Sequence, residues 1–356
     1  MANLFNPDLL RIARQARGWS QAELSKNSGI SQANLSKLEN GLVSPTDDVL
    51  ESVSRSLQFP QTFFFQTDRV IGLPVSVQYR KRASVGQRSI ERLEAELNVR
   101  ILHVRRLLSA AQFDAELVLP RLDVDEFGGD PERIADLVRR TWLVPSGPIK
   151  NLIGWVERAG CIVIHCDFAA LAVDGVTVQI SDMPPCIFLN KNQPADRQRF
   201  SLAHELGHVV MHRVPSPEME DEANAFAAAM LMPARDIRQY LSGRRLTIQH
   251  LAALKPVWRA SMGSLLYRAK TIGELSENQS QYLWRQMSAM GYKRSEPPEL
   301  DFKAEEPSVL PEIIRIHLED LGYGLSDLSE ILHSTVDDVR AMHPLPGPTT
   351  HLRIVK

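Results

Sequence analysis

His204 and His208 stand four residues apart in Arg199-Phe-Ser-Leu-Ala-His-Glu-Leu-Gly-His-Val-Val-Met-His212, a run that is otherwise mostly apolar. That spacing makes chemical sense on an α-helix, where residues i and i+4 share a face and two imidazoles can grip one zinc ion while the intervening Glu205 reaches its water. The segment Asp196–His212 is therefore expected to be a buried helix, and the fold must bring a third ligand to it. His212 is a poor source. It lies two turns beyond His204, about 12 Å along the axis at 1.5 Å per residue, whereas zinc ligands sit about 2 Å from the metal. The next segment, Glu218-Met-Glu-Asp-Glu-Ala-Asn-Ala-Phe-Ala-Ala-Ala-Met-Leu-Met-Pro233, has an acidic start and an Ala-rich body suited to close packing. Glu220 is the expected third ligand, Glu222 is the alternative, and Asn224, one turn after Glu220, can bond within the site.

A second pattern occupies the amino-terminal end. Ser20-Gln-Ala-Glu-Leu-Ser-Lys-Asn-Ser-Gly29 followed by Ile30-Ser-Gln-Ala-Asn-Leu-Ser-Lys-Leu-Glu-Asn-Gly41 reads as a capped helix, a glycine turn and a second capped helix, which is helix-turn-helix grammar. Helices are expected at Pro7–Gln15, Gln21–Ser28, Gln32–Glu39 and Thr46–Leu57, with Ser20, Ser31 and Thr46 as caps. Leu10, Ala13, Leu24, Ile30, Leu35, Leu38, Leu50, Val53 and Leu57 recur at spacing suited to one core. The second helix exposes Gln32, Asn34, Ser36 and Lys37 behind its cap Ser31, groups able to bond base edges or phosphates, while Gln21 and Asn40 are placed to position phosphates.

These runs carry two resemblances. Arg17-Gly-Trp-Ser-Gln-Ala-Glu-Leu24 and Ile30–Gly41 resemble the Cro/C1-type (XRE) family over about residues 6–65, which implies a five-helix fold that binds double-stranded operator DNA as a dimer. Ala203-His-Glu-Leu-Gly-His208, Glu220–Ala227 and Leu231-Met-Pro233 resemble the ImmA/IrrE-type zinc metallopeptidases over about residues 140–235. Leu251–Leu266, with Trp258 and Ser261, is similar to the helical continuation seen beyond that domain. The resemblance implies His204, His208 and Glu220 as ligands, Glu205 as catalytic base, and cleavage of a repressor-type protein, commonly in mobile-element, toxin–antitoxin or DNA-damage settings.

The 356 residues allow more than one core. A multidomain, mainly α chain is expected: an all-α helix-turn-helix bundle at 1–66, a basic helical connector at 67–119, an α+β zincin-like peptidase domain at 120–235, and a helical carboxy-terminal region at 236–356. In the peptidase domain a helix is expected at 151–159, and strands at Cys161–His165 and Cys186–Asn190. Asp174-Gly175 between Leu171–Val173 and Val176–Ile180 signals a hairpin. Later helices are expected at Ile248–Leu254, Met262–Thr271, Glu277–Met290, Pro311–Leu321 and Leu325–His333.

Charge adds one constraint. The net charge is -2, and residues 1–60 hold six Lys/Arg against six Asp/Glu, so the DNA-binding module is not itself basic. Arg69–Ala110 holds nine Lys/Arg against three Asp/Glu, and this stretch, with Arg80-Lys-Arg82, can supply phosphate contacts. Its stripe Leu93, Leu97, Ile101, Val104 and Leu108 predicts a helix over 87–111 that packs within the chain and can contribute to a homodimer. Three scattered cysteines indicate neither disulfides nor a zinc ribbon. The lack of a signal-like start or an 18-residue apolar run points to a cytoplasmic protein without a membrane span. The expected function is a DNA-binding regulator with a zinc endopeptidase domain that cleaves itself or a partner. The alternatives are a non-proteolytic repressor that senses through the zincin fold, and an antitoxin whose later helices hold a toxin.

Overall fold

In the computed structural model, which describes residues 4–68, 70, 72, 86–111, 113–168, 173–242, 246–343 and 345, the opening helical signals become α1 (Pro7–Ala16), α2 (Gln21–Ser28), α3 (Gln32–Glu39) and α4 (Asp47–Leu57). Ser20 forms a capping box with Glu23, and Ser31 accepts from the Asn34 amide. Thr46 begins α4 without a side-chain cap bond. Gly29 closes α2 at φ 75°, a left-handed turn that favours glycine. Where the five-helix pattern implies a fifth helix there is a 3-10 turn, Gln61–Phe65, whose Phe63 and Phe64 are fully buried.

The connector helix is α5 (Gln87–Leu108), packed on α1. Leu93, Leu97, Ile101 and Val104 are buried as expected, and Leu107 rather than Leu108 ends the stripe. The stripe is thus used inside the chain. Its described arginines are engaged too: Arg88 with Glu23, Arg92 with Glu96, Arg100 with the Met342 carbonyl, and Arg105 and Arg106 with Asp68. Arg80, Lys81 and Arg82, expected to meet phosphates, lie outside the described residues.

Next come α6 (Pro131–Thr141), a helix not expected above although Asp130 caps it and Pro131 opens it, α7 (Leu152–Arg158), β1 (Ile162–Cys166), β2 (Gly175–Val178) and β3 (Cys186–Asn190). The sheet order is β1-β3-β2: β1 runs parallel to β3 with Ile162 opposite Cys186, and β2 runs antiparallel to β3 with Gly175 opposite Leu189. The strand expected after Asp174 is therefore present and its partner is β3, while Leu171 and Ala172 of the expected hairpin lie outside the described residues. Burial pushes the Cys161 and Cys186 thiols up to about 12, so they act as apolar packing.

Helix α8 (Ala195–Met211) lies against β2, β3, α7 and α9 (Met219–Leu231). Gly207 is where α8 and α9 meet: a Cβ there would stand 3.2 Å from the Phe226 ring and 3.3 Å from the Ala223 Cα. Two buried arginines hold the carboxy-terminal end of α9, Arg139 donating to the Met230 carbonyl at 2.7 Å and Arg268 to that of Met232 at 2.9 Å. Four helices follow, α10 (Ala234–Leu241), α11 (Ile248–Trp258), α12 (Met262–Thr271) and α13 (Glu277–Ala289). The Pro-rich segment after them is built into the same unit. Glu296 accepts from the first amides of α12 and pairs with Lys255, which also binds Asp196 and Asp301, and Glu305 meets Arg199 at the start of α8.

The last described helices are α14 (Val309–Arg315), continued by a π turn at Ile316–Asp320, then α15 (Leu325–Ile331) and α16 (Val336–Met342). The described residues divide into two units, one from the segments 1–73, 77–113 and 309–356, the other containing 114–308. The carboxy-terminal region expected as one block at 236–356 is thus split. Asp338 explains part of this, since both its oxygens accept from Arg17, at 2.9 and 2.7 Å. The rest is a buried polar chain in which His103 on α5 bonds His343 at 2.9 Å and Ser334 at 2.8 Å.

Inside the first unit, Arg14 and Glu39 form a buried two-pronged pair at 2.6 and 2.9 Å, which Gln21 extends by donating to Glu39. The pair ties α1 to the end of α3. Arg14→Ala is expected to destabilise this unit by about 3 kcal/mol, because it strands a buried carboxylate; urea unfolding measures it. A second expectation concerns acid. Burial holds His103 well below the ordinary histidine value and lowers His343 to about 3, with the Arg100 charge acting in the same direction on both. The unfolded chain takes up these protons near pH 6.5 while the folded chain does not, so stability is full above that pH and falls below it, by about 2 kcal/mol per histidine at pH 5. Protection of α5 amides in hydrogen exchange should fall accordingly between pH 7 and pH 5.

Candidate metal centre

The helical register of α8 puts His204, Glu205 and His208 in the core, at 3%, 4% and 5% exposure. The two imidazoles turn their Nε2 atoms toward each other at 3.0 Å. The close approach at Gly207 brings α9 near enough for Glu220 to face both, with its oxygens 3.6 Å from His204 Nε2 and 3.4 Å from His208 Nε2. Three N or O ligands about 2.0–2.2 Å from one tetrahedral ion stand about 3.4 Å from one another. The 3.0 Å between the two Nε2 atoms, and the 3.4 and 3.6 Å from His208 to Oε1 and from His204 to Oε2 of Glu220, lie near that value, so this donor set fits a zinc ion. Among the described residues, no other group of His, Cys, Asp or Glu has this arrangement.

The surroundings orient the imidazoles. Asn224 Oδ1 lies 3.0 Å from His204 Nδ1, the place expected from its position one turn after Glu220. Glu222 faces away from the pair of Nε2 atoms and bonds His212 at 2.9 Å, and His212 in turn contacts His208 Nδ1 at 2.8 Å. Burial, and then the neighbouring His208, lower the His212 imidazole below its ordinary value, with Glu222 opposing. Glu205 lies against β2, accepting from the Thr177 hydroxyl at 2.8 Å. Gly175 leaves the room for it: a Cβ there would stand 2.9 Å from Glu205 Cγ. Neither Thr177 nor Gly175 was visible as a site residue in the sequence, where Asp174-Gly175 reads only as turn chemistry.

The other candidate surface is carried by α3. Ser31, Gln32, Lys37 and Asn40 are exposed, and Asn34 and Ser36 partly so. Several of these side chains already have local partners. Ser31 caps α3, Asn40 donates to the Ser36 carbonyl at 2.7 Å, and the Gln21 amide is held by Glu39. Arg14 and Glu39, which sequence reasoning missed, are the groups that fix α3.

Two family models match the chain. Residues 156–270 match a peptidase family described as the IrrE N-terminal-like domain, and residues 10–60 match the family described as helix-turn-helix. The first match extends past residue 235 to the end of α12, in keeping with the helices that pack there. No curated protein matches the chain. No helix among the described residues is long and apolar enough to cross a membrane. The chain therefore joins an XRE-type helix-turn-helix domain to an IrrE N-terminal-like domain of a peptidase family.

Proposed function

We propose that this chain is a cytoplasmic, operator-binding regulator whose second unit is a zinc-dependent endopeptidase, acting on a repressor-type protein, itself or a partner, in a stress or mobile-element response. The observation that carries the reading is the convergence of His204, His208 and Glu220 with Glu205 buried beside them. His204, His208 and Glu220 would hold the ion. When bound, zinc polarises a peptide carbonyl and acidifies water.

Glu205 does the proton work. Its carboxylate takes a proton from the attacking water and delivers it to the amine that leaves, so no covalent enzyme intermediate is needed. The Thr177 hydroxyl, by donating to Oε2, fixes the orientation of the carboxylate. Thr177 and Gly175 belong to β2, which stands at the edge of the sheet among the described residues. A peptide that adds a strand to such an edge brings its backbone alongside Glu205, which favours an extended polypeptide over a small amide as substrate.

For the first unit the proposed contacts are Gln32, Asn34, Ser36 and Lys37 to base edges and phosphates, with Gln21, Ser31 and Asn40 positioning the backbone and two copies of the chain reading an operator. Gln and Asn amides suit adenine. The even charge of residues 1–60 implies that specific contacts outweigh nonspecific attraction.

Glu205→Gln is expected to keep zinc while slowing cleavage of itself or of candidate repressors about 10²–10⁴-fold, as loss of a general base does; mass spectrometry of fragments beside metal analysis checks both. Zinc with no Glu205-dependent fragment from any candidate would turn the reading toward a non-proteolytic sensor. Gln32→Ala is expected to weaken binding to an operator selected from random DNA by about 1–3 kcal/mol with little effect on nonspecific DNA, measured by fluorescence anisotropy at fixed salt.

A further inference from the structure

The zinc reading leaves His212 without a part, although its ring is bound on both sides. It ends α8, where the backbone leaves the helix at φ -107° and ψ 107°, and its side chain turns back toward the site. Nδ1 lies 2.8 Å from His208 Nδ1, and Nε2 lies 2.9 Å from Glu222 Oε2. A bond between two imidazole nitrogens requires a proton on one and a lone pair on the other. His208 settles which is which. Its Nε2 faces His204 and Glu220 at 3.0 and 3.4 Å, and an ion held there takes the Nε2 lone pair, so the proton of His208 sits on Nδ1. His208 then donates to His212 Nδ1, and His212 keeps its own proton on Nε2 and donates it to Glu222. One arrangement of protons satisfies every contact.

We propose that His212 and Glu222 form a positioning pair that locks His208 in the Nδ1–H form, with Nε2 presented to the metal; the proposal rests on the zinc reading above. The two histidine ligands are then anchored differently. Behind His204 stands the neutral amide of Asn224, at 3.0 Å. Behind His208 stands an imidazole that ends in a carboxylate, which polarises the Nδ1–H bond and makes Nε2 the stronger donor. The same geometry gives Glu222 a role that differs from Glu220's: its Oε2 is committed to His212, two turns from His204 along α8.

The test combines zinc affinity, read by competition with a chromophoric chelator, with the nitrogen-15 side-chain spectrum of the metal-free protein, which reports where each imidazole carries its proton. Wild type should show His208 protonated on Nδ1. His212→Ala should weaken zinc binding about 10–100-fold and leave His208 in a mixture of forms. His212→Asn, which places an amide oxygen where Nδ1 stood, should recover most of the affinity, a rescue that a merely structural role for His212 does not predict. If wild type binds zinc and His212→Ala binds it equally well, or if His208 carries its proton on Nε2, the positioning pair is wrong and the zinc site stands. If wild type binds no zinc, the zinc reading fails and the pair fails with it.

Discussion

The close approach of α8 and α9 is the constraint on which the candidate site depends. Gly207 lets the Ala223 backbone and the Phe226 ring come within van der Waals contact, and this approach carries Glu220, Glu222 and Asn224 to the histidines of α8. A Cβ at residue 207 would crowd the Phe226 ring at 3.2 Å and the Ala223 Cα at 3.3 Å on the helix that carries Glu220. The motif His-Glu-Leu-Gly-His thus contains chemistry and packing in one turn: the histidines and glutamate are the groups the proposed reaction would use, while the glycine lets α9 bring Glu220 to face both imidazoles. The remainder of the second unit supports that contact. Arg139 and Arg268 hold the end of α9 through its carbonyls, Lys255 and Arg199 tie the start of α8 to the segment after α13, and β2 closes over Glu205.

The first unit solves a similar problem by other means. Its helix α3 is short and polar, with little apolar surface of its own, and is tied to α1 by the buried Arg14–Glu39 pair. The unit is completed by residues more than 200 positions away: Asp338 grips Arg17, and His343 and Ser334 bond His103. Segments on either side of the second unit in sequence thus belong to the first unit.

What could be read in the sequence was local. Helices α2, α3 and α12 begin and end where caps and glycine place them, because Ser20, Ser31 and Ser261 act on amides three residues away. The two histidines, their glutamate and the preference for Glu220 rested on i, i+4 geometry and on the reach of a second helix, both short-range arguments. The features that escaped it are long-range. The placement of residues 309–343 rests on pairs such as Arg17–Asp338 that have no local signal, and Gly175 reads as a turn until Glu205 is seen against it; helix α6, by contrast, carries local signals, with Asp130 capping it, Pro131 in its first turn and Ile134, Ala135 and Val138 on its buried face. The contact of His212 with His208 has no signal in the sequence, because it depends on how the two side chains turn at the end of α8.

The central claim is that His204, His208 and Glu220 form one zinc site. It is tested most directly by measuring zinc per chain in purified wild type and in Glu220→Ala, with circular dichroism confirming that both are folded. The account predicts about one zinc per wild-type chain and little in the variant. A wild-type chain without zinc, or a Glu220→Ala chain that retains it undiminished, would contradict the account.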